Sequence, residues 1–256
     1  MTNSRNNRYQ SYMICTTPRS GSTLLCRMLA ATGIAGAPDS YFHVASLDRW
    51  MQDFEISAAD HPSRRDAIAA VFAAAQRLGR ANSAVFGLRI QRGSFAYLMS
   101  QIKELGGDVQ PEKTLIEEIF GRTTFVHLTR QNKLDQAISR LIAEQTGLWH
   151  LAADGIELER QAPPEPPIYD ASAIARHLSD LTKLDQDWLD WFQAQGITPL
   201  QIMYEDLARD PKAALNVVLD HLGVDASQTP KIEIPTARLS NRINQDWATR
   251  FRSECL

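Results

Sequence analysis

The chain begins with a buried strand, a loop of small polar residues and an amphipathic helix, in that order. Residues 12–16 read YMICT, an unbroken apolar run that is typical of a strand covered on both faces of a parallel sheet. Apolar residues then recur at helical spacing from Leu24 to Leu29, and Gly33 is suited to end that helix. Because the first N–H groups of a helix lack intrahelical partners, the loop at 18–23 predicts an anion-binding site.

The loop itself carries groups that suit an oxyanion. It reads Pro18-Arg19-Ser20-Gly21-Ser22-Thr23. The small residues let the backbone approach an anion, the three hydroxyls add donors, and Arg19 adds a planar cation. The loop lacks both the length and the Lys of a GxxxxGK[ST] nucleotide loop, which argues against a kinase or NTPase. From composition alone, a generic strand-to-helix turn with a serine N-cap remains the alternative.

The rest of the chain continues to alternate strands with helices. Further strands are predicted at 84–90, 124–129 and 200–204, and further helices at 62–79, 94–105, 111–120, 132–145, 174–192, 207–222 and 247–252. This alternation predicts one α/β domain, 1–256, with a central parallel sheet and helices on both faces. The polar residues 1–10 predict a disordered lead-in, and the prolines of QAPPEPP predict a loop or insertion at 146–170.

Composition and charge disfavour several classes of protein. The net charge of −3 provides no basic field for a nucleic-acid partner. The sequence shows no apolar run of about 18–20 residues and no apolar signal core, so we expect a cytoplasmic protein without a transmembrane segment. The three cysteines are widely spaced, and no His or Cys cluster has metal-ligand spacing. We therefore expect a reaction that needs no metal.

A second candidate anion site follows the strand TFVHLT. Arg130 comes directly after that strand, and Ser139 lies further along the next helix. Nine helical residues span about 14 Å, so the two side chains share a ligand only if the chain folds back around it. The spacing is equally compatible with unrelated roles for the two residues, an arginine at a strand edge and a serine in a helix.

The segment TTPRSGSTLLCRMLAATGIAG resembles the bacterial sulfotransferases that act on trehalose, lipopolysaccharide and glycolipids. These enzymes take a sulfuryl group from PAPS, 3′-phosphoadenosine 5′-phosphosulfate. The resemblance implies their fold, a P-loop-like central parallel sheet flanked by helices. The resemblance implies that Arg19 and the residues up to Thr23 hold the 5′-phosphate and the sulfuryl group. It also implies that Arg130 and Ser139, in LTRQNKLDQAIS, hold the 3′-phosphate. Arg19 stands where more distant sulfotransferases carry a Lys that assists the leaving oxygen.

The resemblance continues toward the C-terminus. The segment IMYEDLARDPKAALNVVLDHLG is similar to a packing element of the family, and ARLSNRINQDWATRFR is similar to its terminal segment. By this similarity Arg238 and Arg242 contact the 3′-phosphate or the adenine; solvated surface arginines are the alternative. Resemblance to family relatives also suggests a homodimer.

The acceptor side departs from the family pattern. In GIAGAPDSYF, Ser40 stands where the trehalose-sulfating relatives carry a Glu that is their proposed general base. A serine has no useful basicity at neutral pH, so Asp39 and His43 become the candidate bases, and His43 has the more suitable ordinary pKa. Arg89 matches a basic position of the family and is expected to face the sulfuryl group or the acceptor, or else to form a salt bridge.

Aromatic residues are concentrated near the predicted insertion. Trp149 and His150 border it and are candidates for contact with a sugar, whereas Trp188 and Trp191 follow the apolar face of a helix and are expected in the core. The predicted function is transfer of the sulfuryl group of PAPS to a carbohydrate or glycolipid hydroxyl, with PAP, the desulfated nucleotide, as product. A non-catalytic nucleotide-binding module and a nucleotide-dependent phosphotransferase remain as alternatives.

Overall fold

A four-stranded parallel sheet lies at the centre of the protein. The computed structural model describes residues 9–151, 156–224 and 242–255. Its sheet has the order β2-β1-β3-β6, and all three pairings are parallel. The strands are β1 (Ser11–Thr16), β2 (Phe86–Gln91), β3 (Thr123–Thr129) and β6 (Leu200–Met203). The predicted parallel sheet is therefore confirmed, with the strand that precedes the polar loop at an interior position.

Ten α-helices are found within the described ranges. They are α1 (Ser22–Ala31), α2 (Leu47–Asp53), α3 (Arg64–Arg80), α4 (Arg92–Gly106), α5 (Glu112–Phe120), α6 (Lys133–Thr146), α7 (Ala171–Ala194), α8 (Tyr204–Arg209), α9 (Pro211–Leu222) and α10 (Arg242–Cys255). The helices depart from the prediction in two places. Helix α2 was not predicted, and the single helix expected at 207–222 is divided at Asp210, whose side chain accepts a hydrogen bond from Ala213 N and caps α9.

A small antiparallel sheet occupies part of the predicted loop at 146–170. Strands β4 (Leu148–Leu151) and β5 (Glu157–Arg160) pair with each other. One further backbone hydrogen bond joins the residues that flank the two strands: Gln161 N donates to Gly147 O at 2.8 Å. Strands of only four residues give little sequence signal, which is why the hairpin was missed. The proline-rich part that follows is irregular, as predicted.

Apolar side chains of β1 point alternately into two cores, one on each face of the sheet. Met13 and Cys15 join a cluster with α3, α4 and α5, whereas Tyr12 and Ile14 join a cluster with α1 and α9. Helix α7 is fixed to the end of β1 because Trp188 Nε1 donates to Thr16 O at 2.9 Å. The predicted burial of Trp188 and Trp191 is confirmed.

The predicted lead-in at 1–10 is too long at its C-terminal end. Gln10 N donates to Arg122 O at 2.9 Å, and Gln10 O accepts from Phe86 N at 3.0 Å, so this residue extends the pairing of β1. Tyr9 stacks on His221. Residues 1–8 lie outside the described residues. Across the described part of the chain, none of the helices combines the length and apolar character needed to cross a membrane.

Candidate functional site

A cleft of about 980 Å³ opens at the carboxyl ends of β1, β2 and β3. Ligands of open α/β sheets bind at this edge, at the point where neighbouring strands send their connections in opposite directions. Here β1 has β2 on one side and β3 on the other. The cleft brings together most of the predicted site residues: Arg19, Gly21, Ser22, Thr23, Asp39, His43, Arg89, Arg130 and Ser139.

The loop between β1 and α1 has a backbone conformation suited to an anion. Arg19 has φ 63° and Gly21 has φ 83°, both in the left-handed region. Gly21 is the N-cap of α1, and a glycine brings no side chain to occupy the first N–H groups of the helix. A Cβ at Gly21 would lie 2.7 Å from Tyr204 Cδ2. The loop therefore requires glycine here for both its conformation and its close approach to α8.

One predicted ligand of the loop faces inward. The side chain of Ser20 is fully buried, and its Oγ lies 2.5 Å from Thr16 Oγ1, below the floor of the cleft. Gln136 is also fully buried, and its Nε2 donates to Thr17 Oγ1 at 3.0 Å and to Pro18 O at 2.6 Å. Sequence reasoning missed Gln136, because a lone helical glutamine gives no signal of a contact with a distant loop.

Arg19 connects the loop to helix α6. Its Nε donates to Ser139 Oγ at 3.1 Å, and its Nη1 donates to Trp149 O. Helix α6 thus folds back beside the loop and brings Ser139 against Arg19, while a ligand shared by Arg130 and Ser139 stays a prediction. Burial and then the nearby charge of Arg130 lower the pKa of Arg19 to about 10. The Arg19 guanidinium therefore remains protonated at neutral pH, and a bound anion would relieve its repulsion with Arg130.

Arg130 lines the same cleft. It is buried, with its guanidinium 4.4 Å from the centre of the Tyr204 ring and its Nη2 4.0 Å from Asp135 Oδ2. Tyr204 therefore contacts both halves of the candidate anion site, since its ring also limits the space at Gly21. The YEDL segment, which was assigned to packing alone, supplies this tyrosine.

Arg89 lies at the other end of the loop. Its Nη1 donates to Thr23 Oγ1 at 2.7 Å and its Nε donates to Ser40 Oγ at 2.7 Å. Its Nη2 lies 3.4 Å from Asp39 Oδ1, a carboxylate that is 70% exposed. Arg89 thus lines the cleft and forms the salt bridge that was its alternative role, and its contact with the sulfuryl group or the acceptor stays a prediction. Ser40, at the departure from the family pattern, holds this arginine in place.

The remaining predicted residues lie at the rim or outside the cleft. His43 is exposed, with its Nδ1 3.2 Å from Ser40 O. Arg242 is exposed at the first position of α10 and, within the described part of the chain, it does not line the cleft. Arg238 lies outside the described residues.

The β4–β5 hairpin adds a second histidine to the cleft. His150 Nε2 lies 3.0 Å from Thr23 Oγ1 and 3.4 Å from Glu159 Oε2. Burial, and then the nearby charges of Arg19 and Arg89, lower the pKa of His150 to about 3. The ring is therefore neutral at neutral pH. Glu159 was not predicted, because its pairing with His150 depends on the hairpin.

A buried carboxylate supports the sheet beneath the cleft. Asp185, on α7, accepts hydrogen bonds from His127 Nε2 at 3.0 Å and Thr129 Oγ1 at 2.7 Å, and lies 2.9 Å from Lys133 Nζ. Burial opposes the charge of Asp185, but these donors outweigh it and hold its pKa at about 2. This network joins α7 and the start of α6 to β3.

The parallel sheet, the loop after its first strand and the cationic cleft define an α/β protein with a cleft suited to an anionic ligand. The family model of the Stf0 sulphotransferases matches residues 11–254. The chain therefore belongs to the Stf0 sulphotransferase family.

Two relatives and one solved structure illustrate the similarity. The trehalose 2-sulfotransferase of Mycobacterium tuberculosis is 30% identical over 95% of this chain and 94% of its own length. That of Mycolicibacterium smegmatis is 26% identical over 95% of each chain. A sulfotransferase domain from the Synechococcus olefin synthase covers 96% of this chain and 88% of its own, with 20% identity and a TM-score of 0.42.

Proposed function

We propose that this protein transfers the sulfuryl group of PAPS to a hydroxyl of a carbohydrate acceptor. The observation that carries the proposal is the hydrogen bond from Arg19 Nε to Ser139 Oγ at 3.1 Å. It joins the loop after β1 to the helix after β3, so that two candidate anion sites share one cleft. PAPS carries two separated anionic groups, and family membership independently favours a sulfuryl donor.

The residues of the cleft fit such a donor. The first N–H groups of α1, together with Arg19 and Thr23, are suited to the 5′-phosphosulfate end. Arg130 and Ser139 are suited to the 3′-phosphate, and the repulsion between Arg19 and Arg130 favours an anionic occupant. When bound, PAPS supplies the activated sulfuryl group. We expect no metal requirement, because Arg19, Arg89 and Arg130 already place positive charge around the cleft.

The protein groups act by positioning and by stabilising charge. Arg19 and the α1 N–H groups would stabilise the negative charge that grows on the leaving phosphate oxygen. Arg89, which donates to Thr23 Oγ1, lies on the side of the loop where the sulfuryl group would meet the acceptor. Asp39, Tyr41 and Trp149 line the remaining wall, which combines polar and aromatic groups as a sugar site does.

The acceptor in this proposal is a trehalose-like sugar, because both relatives named above are trehalose 2-sulfotransferases. Lipopolysaccharide sugars and glycolipids are the other acceptors within the proposal. A cytoplasmic location and a homodimer stay predictions.

Calorimetric binding of PAP, with ADP and AMP as controls, tests the donor site. We expect PAP to bind at least tenfold more tightly than AMP, because a 3′-phosphate adds charge-assisted hydrogen bonds. Equal affinities would refute the assignment of Arg130 and Ser139. Incubation with PAPS and trehalose, followed by mass spectrometry, then tests transfer. Tight PAP binding without transfer to any sugar would favour the non-catalytic module, and a product formed from ATP and Mg²⁺ would favour the phosphotransferase.

A further inference from the structure

An acceptor hydroxyl must lose its proton when it attacks the sulfuryl group, and the two bases predicted from the sequence are poorly placed for this. Asp39 forms an ion pair with Arg89, and its Oδ1 also accepts from Ser40 N at 2.7 Å. His43 lies at the exposed rim, with its Nδ1 toward a backbone carbonyl 3.2 Å away. Neither group is held against the loop after β1.

His150 is held against that loop. Its Nε2 lies 3.0 Å from Thr23 Oγ1, and Thr23 follows the N-cap of α1. The same Thr23 oxygen accepts from Arg89 Nη1 at 2.7 Å. The Thr23 hydroxyl accepts from the arginine and still has one proton to donate. In the tautomer whose Nε2 carries no proton, His150 Nε2 accepts that proton as a hydrogen-bond acceptor within the cleft.

Glu159 completes a pair with this histidine. Its Oε2 lies 3.4 Å from His150 Nε2, and the two residues face each other across the β4–β5 hairpin. A carboxylate beside an imidazole favours the protonated form that appears once a proton is accepted. The hairpin is itself fixed to the loop, because Trp149 O accepts from Arg19 Nη1.

We propose that His150, with Glu159 as its counter-charge, accepts the proton of the attacking hydroxyl. This inference rests on the proposed function. The acceptor oxygen forms a bond to sulfur, and the bond between sulfur and the 5′-phosphate oxygen breaks. The electron pair of that bond stays with the phosphate, and the acceptor proton moves to His150 Nε2. The imidazolium then forms a hydrogen bond to Glu159.

The charges around His150 suit this role. It is faced by Thr23 and Arg27 from α1, Arg19 from the loop, Arg89 from β2 and Glu159 from β5. Burial and these arginines lower the pKa of His150, so the ring is neutral and able to take a proton. An anionic donor beside the arginines would offset their charge and raise the proton affinity of the ring where the reaction needs it.

The test compares His150→Gln and Glu159→Gln with wild type, using trehalose as acceptor. We expect His150→Gln to lower kcat by about 100-fold while PAP affinity stays within threefold. Glu159→Gln is expected to lower kcat by about tenfold, the equivalent of one charge-assisted hydrogen bond. His177→Gln is the matched control, because His177 Nε2 also pairs with a glutamate, 3.0 Å from Glu144 Oε2, outside the cleft. It should leave kcat unchanged.

A second readout separates proton transfer from structural support. Trehalose analogues with fluorine beside a hydroxyl carry a more acidic nucleophile, which depends less on a base. The loss in kcat of His150→Gln relative to wild type should therefore be at least tenfold smaller with such acceptors. Equal deficits on all acceptors, loss of PAP affinity, or full activity of His150→Gln would each overturn the proposal. A wild-type protein that neither binds PAP nor sulfates trehalose would instead refute the proposed function.

Discussion

Replacement of Gly21 by Ala tests how the loop after β1 obtains its shape. Gly21 has φ 83°, and an added Cβ would lie 2.7 Å from Tyr204 Cδ2 and 3.5 Å from Leu207 Cδ2. A non-glycine residue in the left-handed region costs about 1 kcal/mol, and an extra methyl in a packed site costs about 1–3 kcal/mol. We expect Gly21→Ala to lower the free energy of unfolding by about 2–4 kcal/mol.

Gly33→Ala provides the matched control. Gly33 has φ 69°, but an added Cβ would meet no atom within 4 Å in the described part of the chain. The control should lose only about 1 kcal/mol, so the difference between the variants measures the contact with Tyr204. Urea unfolding at constant m-value gives both free energies. Because the displaced Tyr204 ring also stacks on Arg130, PAP affinity should fall at least tenfold only in Gly21→Ala. Equal losses of stability with unchanged PAP affinity would refute this reasoning.

Three further predictions address the charges and contacts around the site. Arg130→Lys should reduce the preference for PAP over AMP by about tenfold, because Lys lacks the planar guanidinium that binds phosphate through two hydrogen bonds. Calorimetry with both nucleotides measures the ratio of affinities, and an unchanged ratio would contradict the prediction. Gln136→Leu should lower the free energy of unfolding by about 1–3 kcal/mol, because the carbonyl of Pro18 and the hydroxyl of Thr17 lose their donor. Urea denaturation measures this free energy, and wild-type stability would contradict the prediction. The pKa of Asp185 is about 2 in the folded protein against an ordinary 3.8, so its ionisation contributes about 2 kcal/mol above pH 4 that is lost as pH falls through 2. Asp185→Asn should therefore destabilise the protein at pH 7 but much less at pH 2, and a constant difference across that range would contradict the reasoning.

The sequence by itself determined the alternation of strands and helices and the position of the first anion-binding loop. The unbroken apolar run at 12–16 needs cover on both faces, so it required a parallel sheet with helices on each side. The conformation of the loop after Pro18 can be predicted from its own residues. Glycine at position 21 allows a left-handed backbone, and the hydroxyl residues beside it suit the start of a helix. These features depend on neighbours in the chain, which a sequence displays directly.

Only the tertiary structure decided which distant groups share the cleft. The spacing of Arg130 and Ser139 was compatible with unrelated roles, and the return of α6 beside the loop placed Ser139 against Arg19. The same is true of Ser20, whose hydroxyl turns into the core, and of the pair formed by His150 and Glu159 on the hairpin. These outcomes depend on side-chain direction and long-range packing, and neither leaves a periodic pattern in the sequence.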